Sequence, residues 1–129
     1  MSEIIEKVKS AIKRLETEKG QLLICALFLR ADALEKWDIV LAASWLNPKE
    51  MLSYEILSSC LQNFLTPSDL VQFSRIVILE QDDPIVSFLL NLETVKNGGY
   101  KELSADILTE KFRFTIKKAY LLRSQKSEV

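Results

Sequence analysis

A chain of 129 residues with 48% apolar and 27% charged side chains has the composition of one globular domain, able to bury roughly two-thirds of its unfolded surface. It has no histidine, which removes the usual general base, the Ser-His and Cys-His nucleophile pairs and the commonest metal ligand. The net charge of −1 divides into +1 over 1–36, −5 over 37–100 and +3 over 101–129, too mild to announce a nucleic-acid binder but enough to orient subunits or a partner.

The first segment, 1–19, reads as an amphipathic helix. Ile4, Val8, Ile12 and Leu15 form one stripe, charged side chains cover the other faces, and Gly20 sits where a C-terminal cap belongs. The stripe needs a partner surface, either the domain's own sheet or a second copy. The charged N-terminus carries no apolar signal core.

The run LLICALFL at 22–29 is far shorter than the ~20 residues of a bilayer span. Within QLLICALFLR it fits a central strand covered on both faces. The connection ADALEKW then returns the chain as a hairpin or one helical turn, which sets Arg30 near Asp38 as an ion pair.

WDIVLAASWL at 37–46 is the second strand. Trp37, Ile39, Leu41, Ala43 and Trp45 share a bulky face; Asp38, Val40, Ala42, Ser44 and Leu46 share a smaller one, suited to a closely packed helix or a ligand. Asn47-Pro48-Lys49-Glu50 reads as a capped helix start, with Leu52, Ile56, Cys60 and Phe64 as its buried stripe. Thr66-Pro67-Ser68-Asp69 restarts a short helix that buries Leu70, Val71 and Phe73.

RIVILE at 75–80 is a third strand, followed by Asp83 as cap and Pro84 opening a helix whose inner face is Ile85, Phe88, Leu89, Leu92 and Val95, closed by Asn97-Gly98-Gly99. All three prolines are thus expected to follow a cap and open a helix. Residues 101–109 fit a short strand or an irregular crossing. In FRFTIKKAYLLR, alternation points Phe112, Phe114, Ile116, Tyr120 and Leu122 inward and Arg113, Thr115, Lys117 and Arg123 outward. Lys118 breaks the pattern unless a bulge at Lys117-Lys118 turns it out. The tail 124–129 is expected to fray.

The echo of Ile39-Val40-Leu41 in Ile76-Val77-Ile78, each followed by a cap and a proline, implies two parallel strands joined by a helical crossover. The fold class is α/β of the mixed kind: four or five strands in two or three layers, in the order α-β-β-α-(α)-β-α-β, as a single domain over 1–129.

Ligands of such sheets favour the carboxyl ends of parallel strands. That edge gathers Ser44, Asn47 and Lys49 with Glu80, Gln81, Asp82 and Asp83. Its carboxylates suit a divalent cation, against the plainer roles of cap and helix-dipole partner. A metal-dependent nuclease would want Asp38, Glu80 or Asp82 and Lys118, yet no acid and lysine stand two apart on one strand. Lys111, Arg113, Lys117, Lys118, Arg123 and Lys126 interleave with aromatics as a backbone-tracking patch would, although alternation turns the aromatics away from the charges.

Cys25 and Cys60 lie in apolar segments and read as buried hydrophobes of a protein in the reducing cytoplasm. No catalytic residue, cofactor or metal site is assigned, and no membrane association. The leading expectation is a non-catalytic interaction or regulatory module that binds a protein partner or itself as a homodimer. The alternatives are a small-ligand or metal-dependent enzyme at the sheet's carboxyl edge, and nucleic-acid binding through 111–126.

Overall fold

The computed structural model describes residues 2–31, 36–96, 99–112 and 115–126. The element order is α1 (Ser2–Glu18), β1 (Ile24–Arg30), β2 (Trp37–Ala42), α2 (Met51–Phe64), α3 (Pro67–Leu70), β3 (Phe73–Ile78), α4 (Pro84–Leu92), β4 (Lys101–Leu103), α5 (Ala105–Lys111) and β5 (Ile116–Ser124). The middle of the ADALEKW connection, the Asn97-Gly98 terminator, Arg113, Phe114 and the end of the tail fall outside the described residues.

The strands form one mixed sheet in the order β3-β2-β1-β5-β4. β1 is central and pairs antiparallel with both β2 and β5. Its apolar run requires cover on both faces, and the helices supply it. On one face Cys25 and Leu27 pack with Ile39, Leu41 and Leu122 beneath α1 and α2. On the other, Ile24, Ala26 and Phe28 pack with Val40, Ala42 and Leu121 beneath α4 and α5. The result is three layers, helix on sheet on helix. Among the described residues no helix is long and apolar enough to cross a membrane.

β2 and β3 are parallel, with Ile39 opposite Ile76, Val40 opposite Val77 and Leu41 opposite Ile78. The two sequence echoes are therefore register partners. Val40 and Ala42, on the smaller face of β2, lie against α4 through Val86 and Leu89, so a helix and not a ligand fills that side.

The stripe of α1 is spent inside the chain. Ile4, Ile5, Val8, Ala11, Ile12 and Leu15 are all buried in the first core cluster, each larger side chain contributing about 1.5–3 kcal/mol. Gly20 ends the segment at φ 126°, and its carbonyl accepts a hydrogen bond from Trp45 Nε1 at 3.1 Å. Glu16 fastens the same end. Its carboxylate accepts from Arg123 Nη2 at 2.6 Å, from the Leu22 backbone N–H at 2.9 Å and from Gln125 Nε2 at 3.1 Å.

Several sequence expectations need correction. Only two of the three prolines open a helix. Thr66 caps α3 in a reciprocal box with Asp69, and Asp83 caps α4 by accepting from the Ile85 N–H. Asn47-Pro48 instead forms a turn: Asn47 Oδ1 accepts from the Lys49 N–H at 2.9 Å, its side-chain amide donates to Glu50, and α2 starts at Met51 behind Glu50. The Asn47 N–H is taken by the buried Ser53 hydroxyl at 3.0 Å, which sets the turn against the helix it precedes. Val71, expected to be buried, is 64% exposed. α4 stops at Leu92, and Val95 lies beyond it, bridged to Ser124.

In the C-terminal third, β4 is the short strand that 101–109 allowed, and α5 is a helix beyond the expected order. β5 itself contains the expected bulge: Leu29 pairs with Lys118 and Arg30 with Ile116, leaving Lys117 as the extra residue and both lysines exposed. A second irregularity opposite Cys25 carries Arg123 inward, so this outward-read residue is buried against Glu16. Ser124 remains in the strand and is buried, and the Gln125 N–H bonds the Leu23 carbonyl at 3.0 Å, so order extends past the start of the expected frayed tail.

At Gly20 a Cβ would stand 3.4 Å from the Trp45 ring at a positive φ that L residues rarely adopt. Gly20→Ala is expected to destabilise the fold by about 1–3 kcal/mol in urea denaturation.

Candidate functional site

The parallel pairing of β2 and β3 brings their carboxyl ends together, as the sequence implied. Ser44, Asn47, Glu80, Gln81 and Asp82 line one depression of about 420 Å³. All five are exposed. Lys49 is exposed nearby but is not part of its wall. Asp83 is committed to the α4 cap. Among the described residues no three acidic or sulfur-bearing side chains converge as a metal ion requires.

Asp38 stands at the other end of the strands. Its residue is 1% exposed, and Oδ2 lies 3.1 Å from both Arg30 Nε and Arg75 Nε. The expected Arg30 pairing is present, and Arg75, contributed by β3, joins it. Oδ1 has no hydrogen-bond partner among the described residues. One carboxylate thus ties three adjacent strands, β1, β2 and β3, and is a structural group far from Glu80 and Asp82.

The basic residues of this patch that are described do not share a surface. Arg123 is buried against Glu16. Lys111 ends α5 with its ammonium 5.2 Å from the centre of the Phe88 ring. Lys117 and Lys118 sit at the first end of β5 and Lys126 beyond the last, about 26 Å away for an extended strand of this length. Arg113 lies outside the described residues.

Both thiols are free and buried. Burial pushes the Cys25 thiol up to about 12, against a smaller lowering by Arg123, and burial also raises that of Cys60. Both shifts favour the neutral thiol over the reactive thiolate.

An apolar recess lies elsewhere, along the β3 edge. A groove of about 550 Å³ runs between α2 and β3, walled by Met51, Tyr54, Leu61, Leu70, Phe73 and Ile76. α2 reaches over β2 but leaves the adjacent side of β3 open, so Phe73 and Ile76 are only half-buried and Met51 is 72% exposed. Sequence reasoning missed this groove, because RIVILE has the composition of an interior strand. The signal it did carry was the mismatch itself: a strand apolar on both faces requires cover on both.

Nothing among known proteins narrows the reading: no family model, curated protein or solved structure matches the chain.

Two measurements check these assignments. Asp38→Ala removes the buried carboxylate that joins β1, β2 and β3 and is expected to cost about 1.5–3 kcal/mol in chemical denaturation. Arg75→Ala, at a side chain 48% exposed, is expected to cost about 0–1 kcal/mol. Thiol alkylation at mildly alkaline pH is expected to leave both cysteines of the folded protein unmodified and to label both after denaturation.

Proposed function

We propose that this protein is a non-catalytic interaction module of the reducing cytoplasm, and that it takes up an extended polypeptide segment along β3 beside the α2 groove. The observation that carries this reading is an open sheet edge of interior composition. Phe73–Ile78 reads FSRIVI, with one charge and no proline, and borders an apolar groove topped by an exposed methionine.

Natural sheets blunt an exposed edge with charge, proline, extreme shortness or a cover. Most of β3 lacks these devices, which supports a partner in their place. An added strand would complete the backbone ladder, and the groove would receive alternate side chains of that strand. The free, buried thiols support the cytoplasmic assignment. The α1 stripe, the other apolar surface legible in the sequence, is consumed by the core and does not compete as a docking face.

The test is the size of the native protein in extract of cells that produce it. The chain is expected to elute in an assembly larger than itself. Met51→Asp, at a side chain 72% exposed, is expected to move most of it to the position of the free chain without loss of fold. Elution as the free chain with either sequence would sink the reading.

A further inference from the structure

The sheet's two edges are built differently. β4 is three residues long, two of them charged, Lys101 and Glu102, and so is protected against pairing. β3 is six residues long with Arg75 as its one charge. Its hydrogen-bonding sides follow from the ladder. The Leu79 N–H donates to the Leu41 carbonyl at 2.8 Å. Alternation then points the backbone groups of Arg75 and Val77 toward β2 and those of Ile76 and Ile78 outward.

A bulge limits the usable run. Trp37 pairs with Phe73 and Asp38 with Arg75, which leaves Ser74 as an extra residue that breaks the regular strand. The regular ladder therefore extends from Arg75 to Leu79 and is centred on Val77.

We propose that the segment taken up at this edge is β3 of a second copy, paired antiparallel about a two-fold axis beside Val77. The inference rests on the reading of this edge as an interaction surface. In this register Ile76 of one copy exchanges both backbone hydrogen bonds with Ile78 of the other, and the reverse, so every outward group of the regular run is satisfied. Val77 faces its own counterpart as a non-hydrogen-bonded pair.

Charge selects the same register. An axis at Arg75 would set the two guanidinium groups directly opposite each other, and an axis at Ile76 would set them diagonally across one face; like charges oppose both. With the axis at Val77, each Arg75 lies opposite Leu79 of the other copy, where Glu80 and Asp82 follow. The cation of each strand then sits beside the acidic end of its counterpart, twice. A two-fold axis perpendicular to the sheet also keeps like faces together, so the two α2–β3 grooves open toward one another across the axis.

The experiment is sedimentation equilibrium of the purified full-length chain over a wide concentration range, together with two variants. The wild type is expected to reach the mass of two chains. Ile76→Lys places a charge at the paired edge and is expected to return the mass to one chain, with circular dichroism reporting whether the fold is kept. Val77→Cys is expected to give a covalent dimer on mild oxidation, reversed by dithiothreitol. The Cα separation of about 4.5 Å in such a pair lies within disulfide range, and Cys25 and Cys60 are too buried to compete. One-chain mass at every concentration overturns the second copy, while the assembly in cell extract still decides whether the edge binds something else. A dimer that folded Ile76→Lys leaves intact overturns the edge, and a dimer in which Val77→Cys fails to cross-link overturns the register.

Discussion

The structure follows from the need to surround β1. Its residues from Ile24 to Phe28 are almost wholly inaccessible on both sides of the sheet, so the strand requires a neighbour along each edge and a helical layer against each face. Backbone groups in that position have no water to bond and must be paired by β2 and β5. The antiparallel connection to β2 and the long return to β5 meet that demand, and the remaining elements attach outside them. Burial of the first strand thereby fixes three layers. It also occupies the longer helices: α1 and α2 lie over the centre of one face, α4 and α5 over the other, and among the described residues no strand pairs with the outer edge of β3.

Two polar clusters hold this arrangement in register. The Asp38 carboxylate lies beneath Arg30 and Arg75 and joins the three strands at one end of the sheet. Glu16 joins the end of α1 to the start of β1 and the end of β5. Buried ion pairs add little net stability, because desolvation offsets much of their attraction, but breaking one leaves a costly orphan. Here they specify which ends meet. A third tie is peripheral: Lys7 bonds Asp69 at 2.7 Å and, with the Thr66 N–H, holds that carboxyl below its ordinary range. That tie is present above the ordinary carboxylate range and is lost as acid titrates the depressed group. Asp38, the acid a nuclease would want, is thus a structural group, whereas the carboxyl-edge acids Glu80 and Asp82 are exposed.

Local chemistry was legible wherever a residue's role depends on its immediate neighbours. Asp83-Pro84 and Thr66-Pro67 start helices because the capping oxygen, the fixed proline φ and the following N–H groups all lie within one turn. Asn47-Pro48 has the same local signature and behaves differently, because the buried Ser53 hydroxyl captures its N–H and sets the turn one step before the helix. Alternation located the C-terminal strand and the bulge at Lys117. It misplaced Arg123, because a second irregularity lies where β5 must meet both β1 and α1, and the attraction of Glu16 is invisible across more than a hundred residues of sequence.

The sequence alone determined that the chain is a mixed α/β domain, that Thr66-Pro67 and Asp83-Pro84 open capped helices, that Arg30 meets Asp38, and that Ile39-Val40-Leu41 and Ile76-Val77-Ile78 are parallel partners. These follow from periodicity, steric preference and short-range capping, all written in contiguous residues. Only the tertiary structure decided the strand order β3-β2-β1-β5-β4, and with it the exposure of β3. An apolar strand has the same composition at the centre of a sheet as at its margin. Its position depends on which neighbours arrive from distant parts of the chain, and among the described residues no strand pairs with its outer side.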